Sequence, residues 1–222
     1  MNEVKIYPNL VFKYNYEPGF DVNEFKAHID KHGKDDYTAS ERGGGKTTAG
    51  SDDEPHFWNS LEPFIDWLSP KIEIALNEWD VAYREWFISK SWANLHNLGG
   101  FTDAHEHGPG SVVVSIYIKQ PPLGGNIMFE SLLRERWVAY SRQDGRTIHD
   151  YWREVAVNTN DVLLFPGWIT HKTQASQTID DRIVFTINVG AVGQGQTFQP
   201  DFLPTFTNKK GEMNDRQNSG TN

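Results

Sequence analysis

The chain has 222 residues, a formal net charge of −9, eight tryptophans, eight tyrosines, 13 phenylalanines and no cysteine. That length suits one domain with a substantial core. The acidity excludes a general affinity for nucleic acid or anionic membrane, which needs clustered Lys and Arg, and the missing thiols exclude disulfides, thiolate metal sites and cysteine catalysis.

The N-terminus shows no signal-peptide core, and no apolar run approaches the roughly 20 residues of a membrane span, so a cytoplasmic protein is expected. Val4 to Tyr16 reads as extended structure interrupted at Pro8. A helix follows: Asp21 and Glu24 make a capping-box-like start, Val22, Phe25 and Ile29 share a face, and Gly33 ends it. Residues 33–54 turn polar and glycine-rich and read as a mobile loop, a lid over a pocket. The run GGGKTT within it is not a phosphate loop, because the glycine required four residues earlier is missing and no buried strand precedes it. Phe57 to Leu68 and Ser69 to Tyr83 read as two helices, the second with Ser69 as N-cap and Pro70 at its first position. The stripe Ile72, Ala75, Leu76 and Trp79 reads as core packing.

From Arg84 onward strands dominate. Glu85 to Leu95 alternates, with Trp86, Ile88, Trp92 and Asn94 on one face. In GGFTDAHEHGPGSVVVSIYIK (99–119), a period of two points His105 and His107 the same way, and a Gly-Pro-Gly turn leads into the β-branched run Val112 to Ile118. Two neutral imidazoles so placed can chelate iron, zinc, copper or nickel; two surface histidines beside a turn are the plainer reading. Asp103 shares the face of His105 if the strand reaches back that far, and Glu106 faces away. Asn126 to Glu130 is a further strand. Residues 132–154 form a charged, aromatic insertion, a hairpin or short helix at the barrel mouth where substrate could touch it.

Val155 to Val157 and Val162 to Phe165 come next, then a Pro166-Gly167 turn, His171, and a last strand from Arg182 to Val189. On that strand Arg182, Val184, Thr186 and Asn188 share a face. A guanidinium opening an apolar strand needs an anion. Asp180 or Asp181 could supply a salt bridge, and a ligand carboxylate would match its fork. His28, His32, His56, His96 and His149 read as solvated. Helices ahead of about eight short strands with Gly/Pro turns give an α+β, mainly β fold. The expected architecture is a double-stranded β-helix, or jelly roll, braced by N-terminal helices. One domain is expected over 1–192, with helical support over 20–83 and a jelly-roll core over 84–190. Residues 193–222 read as a polar, disordered tail.

The segments SWANL (91–95), HEHGPGS (105–111), SIYIK (115–119), GGNIMF (124–129), LLFPGWITH (163–171) and DRIVFTIN (181–188), in that order, resemble the iron(II)- and 2-oxoglutarate-dependent dioxygenase superfamily. The group most resembled is common in phages and bacteria and related to the prolyl 4-hydroxylases. The resemblance implies Fe(II) held by His105, His107 and His171. It implies 2-oxoglutarate anchored at its far carboxylate by Arg182, with Tyr117 as a second donor and Asn94 and Asn188 at the pocket. With O2 as oxidant, it implies hydroxylation of an unidentified prolyl, peptidyl or small-molecule substrate, releasing succinate and CO2.

One position departs from the family pattern: His107 stands where Asp or Glu is usual. Either three histidines bind the metal, or a carboxylate arrives from elsewhere, with Asp103 the alternative ligand. Two other readings stay open. A cupin-type metalloprotein would share Gly99-x5-His105-x-His107 and Pro166-x4-His171, but its glutamate after His107 is missing. The other is a non-enzymatic jelly-roll binding or structural protein.

Overall fold

Asp21 begins the first helix, α1 (Val22–His32), by accepting a hydrogen bond from the Asn23 N–H at 2.9 Å, and Gly33 ends it. Its buried face is Phe25, His28 and Ile29. The structure is a computed structural model that describes residues 10–35, 41–42, 45–108, 111–131 and 151–193. The two helices expected over 57–83 are one. Short 3-10 turns at Pro55–Phe57 and Asn59–Leu61 lead into a single α2 (Glu62–Glu78) with Pro70 inside it. Ser69 does not cap; its hydroxyl donates to the Ile65 carbonyl at 2.8 Å, and Lys71 Nζ donates to the Trp67 carbonyl at 2.9 Å. An interior proline costs about 3 kcal/mol. The buried stripe Phe64, Ile65, Leu68, Ile72, Ala75 and Leu76 runs through both halves. At about 1.5–3 kcal/mol for each large side chain buried, the stripe wins.

The strands are β1 (Phe12–Asn15), β2 (Lys34–Asp35), β3 (Glu41–Arg42), β4 (Lys46–Thr47), β5 (Glu85–His96), β6 (Phe101–Thr102), β7 (Ser111–Lys119), β8 (Ile127–Glu130), β9 (Trp152–Val155), β10 (Asp161–Pro166), β11 (His171–Thr173) and β12 (Arg182–Val192). The major sheet is antiparallel, in the order β1-β10-β7-β12-β5-β4-β2; the minor sheet is β11-β8-β9, and β3 pairs with β6. Both helices pack on the outer face of the major sheet, where Phe25, Ile29, Leu68 and Ile72 share a core with Val114, Ile116, Leu164 and Phe185. The inner face meets the minor sheet through Val113, Tyr117, Leu163 and Phe165 against Ile127 and Phe129. A strand covered on both faces must be apolar throughout, and every residue of DVLLFP in β10 is buried, Asp161 included. The expected double-stranded β-helix braced by helices is what forms.

Two expectations about the walls of this barrel are corrected. Pairing of β5 with β12 slips between Asn188 and Val189, leaving Ser89 as an extra residue. Trp86 and Ile88 face the helices, Ala93 and Leu95 take over that face beyond the bulge, and Trp92 and Asn94 turn inward. The common face expected for Trp86, Ile88, Trp92 and Asn94 is thus split. Residues 33–54 are not a mobile loop along their described length. β4 pairs with β5, and Gly45, Thr47 and Thr48 are buried. The last glycine of GGGKTT has a packing reason, since a Cβ there would lie 2.8 Å from Cδ2 of His96.

His28, His56 and His96, expected to be solvated, are buried. Each is accommodated by a hydroxyl: Thr48 Oγ1 at 3.1 Å, Ser91 Oγ at 2.8 Å and Thr102 Oγ1 at 3.4 Å respectively. The insertion expected at the barrel mouth, His149 included, lies over 132–150 outside the described residues; its end, β9, pairs with β8. Residues 1–9 and the expected tail from 194 also lie outside them. Among the described residues no helix is long and apolar enough to cross a membrane.

Candidate metal and cosubstrate site

His105 and His107 sit on the extended segment between β6 and β7, and His171 opens β11. The strand expected around the first two is reduced to one antiparallel bridge between His105 and His171. The His105 N–H donates to the His171 carbonyl at 3.0 Å, and the His171 N–H donates back at 3.1 Å. The His107 N–H donates to the Gly167 carbonyl at 2.8 Å, so the Pro166-Gly167 turn fixes the second imidazole. The three rings converge, with centroids 4.4 Å apart for His105 and His171, 5.0 Å for His105 and His107, and 5.1 Å for His107 and His171. One ring nitrogen from each lies within 4.8 Å of the others. The Nε2 atoms of His105 and His107 are 3.2 Å apart.

Backbone carbonyls set the tautomers. His105 Nδ1 lies 2.8 Å from the Asp103 carbonyl, and His171 Nδ1 lies 2.9 Å from the Ile169 carbonyl. A carbonyl only accepts, so both Nδ1 atoms carry the proton and both Nε2 atoms present a lone pair. Burial, aided by the neighbouring His105, pushes His107 down to about 4 and His171 down to about 3. Imidazole nitrogens that present lone pairs are the donor set a borderline divalent ion such as Fe(II) takes. Trp92 stacks on His107 at 5.7 Å between centroids, and Phe165 meets His171 edge-on at 4.7 Å.

The carboxylates nearby point elsewhere. Asp103 is exposed, and its Oδ1 accepts from the Ala104 N–H at 2.8 Å. With the strand reduced to a bridge, nothing carries that side chain onto the face of His105. Glu106 is exposed and accepts from the Thr170 hydroxyl at 2.8 Å, on the side away from the histidines as expected. Among the described residues no carboxylate oxygen joins the three imidazoles.

Arg182 opens β12 and is 1% exposed. It lines a cavity of about 160 Å³ together with His105, His107, His171, Asn94 and Tyr117. The plain salt-bridge partners are engaged elsewhere: Asp181 with Lys26 at 2.8 Å, and Asp180 with Thr178. The Arg182 guanidinium carbon lies 5.6 Å from the centroid of the Tyr117 ring, and the two side chains hydrogen-bond. Burial pushes the Tyr117 hydroxyl up to about 12 against the pull of Arg182, so the phenol keeps its proton and can donate it.

Val184 and Thr186 line the same cavity, as the alternation along β12 predicts. Asn94 is in the cavity wall and its Oδ1 is buried with no hydrogen-bond partner among the described residues; Asn188 sits beside His107. Sequence reading missed Ser115, Thr173 and the Thr47–Ala49 edge of the cavity. Ser115 shares the face of Tyr117 two residues on, a signal already present in SIYIK. Thr47 carries no such signal, because only pairing with β5 places it.

Residues 90–188 match the family described as "Putative 2OG-Fe(II) oxygenase". Among curated proteins none matches the chain. Solved structures with a similar fold include a Pseudomonas putida prolyl-4-hydroxylase, at 12% identity over 77% of this chain and 84% of that one, with a TM-score of 0.51. Two non-heme alpha-ketoglutarate-dependent enzymes of nogalamycin biosynthesis are similar. The carbocyclase SnoK has 13% identity, 87% of either chain covered and a TM-score of 0.51. The epimerase SnoN has 12% identity, 83% and 78% covered and a TM-score of 0.51. At these identities the likeness is one of fold. The family match carries the chemistry, and it encloses every residue of the histidine and arginine cavity numbered from Trp92 to Thr186. Over residues 90–188, the stretch that holds the three histidines and the arginine, the chain is similar to the iron(II)- and 2-oxoglutarate-dependent oxygenases.

Proposed function

We propose that His105, His107 and His171 hold the Fe(II), and that Arg182 and Tyr117 hold the far carboxylate of 2-oxoglutarate. The enzyme then hydroxylates a prolyl, peptidyl or small-molecule substrate, working as one domain over residues 1–192. One observation carries this reading: a single cavity is lined both by three converging imidazoles and by a buried arginine. Bound iron and 2-oxoglutarate supply the oxidising chemistry, with succinate and CO2 as by-products.

The protein's part is position and exclusion of water. The Asp103 and Ile169 carbonyls keep two imidazoles in the tautomer that offers Nε2. Trp92, Phe129 and Phe165 shield the rings. Arg182 presents a planar fork to the carboxylate, and Tyr117, held protonated, adds a neutral donor beside it. The volume, about 160 Å³, is below the range of drug-sized pockets and suits a small dicarboxylate. An all-nitrogen ligand set also leaves the metal's two positive charges to be balanced by that anion.

Anaerobic loading with Fe(II), followed by 2-oxoglutarate titration and succinate measurement in air, tests the reading. Iron retention with 2-oxoglutarate binding and succinate release is expected. Another metal retained without 2-oxoglutarate affinity would favour the cupin-type reading, and no metal at all would favour a binding protein.

A further inference from the structure

Outside that cavity a second pair of imidazoles converges on a carboxylate. His28 and His32 lie one turn apart on α1, so their rings leave the same face, with centroids 5.0 Å apart. Asp53 approaches from the segment after β4. Its Oδ2 lies 3.2 Å from His32 Nε2 and 3.7 Å from His28 Nδ1. Both nitrogens are buried, and neither makes a short, aligned hydrogen bond to the carboxylate oxygen that stands beside it. A protonated imidazole closing on a carboxylate would form an aligned contact of about 2.7–2.9 Å. Nitrogen and oxygen ligands held about 2.0–2.2 Å from one tetrahedral centre stand about 3.3–3.6 Å from each other. The two separations bracket that spacing.

The outward atoms of these side chains are held as metal ligands usually are. His28 Nε2 pairs with the Thr48 hydroxyl at 3.1 Å, and Asp53 Oδ1 accepts the Trp58 indole N–H at 3.2 Å. Thr48 is itself fixed to β5, its N–H donating to the Ala93 carbonyl at 2.9 Å and its hydroxyl accepting the Ala93 N–H at 3.0 Å. The Asp53 side chain is 45% exposed and that of His32 is 25% exposed, so a fourth position opens to water.

We propose that His28, His32 and Asp53 form a second, structural metal site for a divalent transition ion of the zinc class. Two imidazoles and one carboxylate suit that ion. The site ties α1 to the 45–54 segment, of which Thr47 and Ala49 line the cosubstrate cavity. It does not depend on how iron is bound.

The full chain, stripped with chelator, loaded with Zn(II) and desalted, gives the test. Wild type should retain about one zinc per chain more than His32→Ala and than Asp53→Asn. The same loss should appear when Asp53→Asn is added to His171→Ala, which removes only the first cluster. Asp53→Asn keeps the shape of a half-exposed side chain, and circular dichroism verifies its fold. Zn(II) should also raise the melting temperature of wild type more than that of Asp53→Asn. Equal zinc content in wild type, His32→Ala and Asp53→Asn would overturn the proposal and leave only an ion-pair cluster.

Discussion

His105 and His171 exchange two backbone hydrogen bonds, at 3.0 and 3.1 Å, so two residues far apart in sequence are fixed to each other before either imidazole meets a ligand. The convergence of these imidazoles is therefore a property of the backbone, and a side chain can be removed from it without dismantling it.

The first prediction follows from that. His171→Ala and His105→Ala should each lose iron while keeping the fold, because the bridge uses only main-chain groups. Asp103→Ala should keep iron and Glu106→Ala should be nearly silent, since both carboxylates already point outward. Metal analysis after anaerobic loading checks this. Iron lost in Asp103→Ala but retained in His107→Ala would exchange the third ligand for the carboxylate.

Tyr117→Phe should weaken 2-oxoglutarate binding about 10- to 100-fold, the weight of one hydrogen bond to a charged group of about 1.5–3 kcal/mol. The ring itself is buried against the minor sheet and Phe fills that space. Melting temperature should thus change little, and a large fall in stability with unchanged affinity would mean the hydroxyl serves only the core.

Acid should destabilise the metal-free protein early. Burial lowers His56 to about 4, His107 to about 4 and His171 to about 3 in the folded chain, whereas the unfolded chain protonates near 6.5. Above pH 6.5 both states are neutral and nothing is gained or lost. As the pH falls from 6.5 toward 4 the unfolded state takes up protons that the folded state refuses, and stability drops. Each histidine contributes up to about 1.4 kcal/mol per pH unit, so the set gives roughly 2–4 kcal/mol per unit. Urea unfolding at pH 7 and pH 5 measures it, and equal stability at both would show these imidazoles to be solvated.

Gly125→Ala should destabilise the minor sheet. Gly125 has a φ of +84° just before β8, and a Cβ there would lie 2.5 Å from the Gln174 carbonyl oxygen. That combination costs on the order of 1–3 kcal/mol. Because β8 pairs with β11, metal affinity should fall along with thermal stability. Unchanged melting would contradict the tight approach.

What sequence disclosed and what it hid divide along the range of the interactions. The caps of α1, the alternation of β12 that brings Arg182, Val184 and Thr186 into one cavity, and the common direction of His105 and His107 are local, and all were legible. Pro70 read as a helix start because its neighbour Ser69 looked like a cap. Burial of residues on both sides of it, a tertiary effect, made one helix. The bulge at Ser89 has no glycine to announce it, so the inward turn of Trp92 was hidden. His28, His56 and His96 read as surface groups because their hydroxyl partners Thr48, Ser91 and Thr102 come from other elements or from across a turn.

The cosubstrate anchor is the centre of this account, and calorimetry of iron-loaded protein with 2-oxoglutarate tests it most directly. Truncating Arg182 removes a charge-assisted fork from a buried position and leaves the ligand carboxylate unpaired, which costs roughly 2–5 kcal/mol. Arg182→Ala should therefore bind about 30- to several-thousand-fold more weakly than wild type. Arg182→Lys, which keeps the charge without the planar geometry, should fall between them. Unchanged affinity in Arg182→Ala, with circular dichroism intact, would contradict the account and leave the arginine a structural residue of β12.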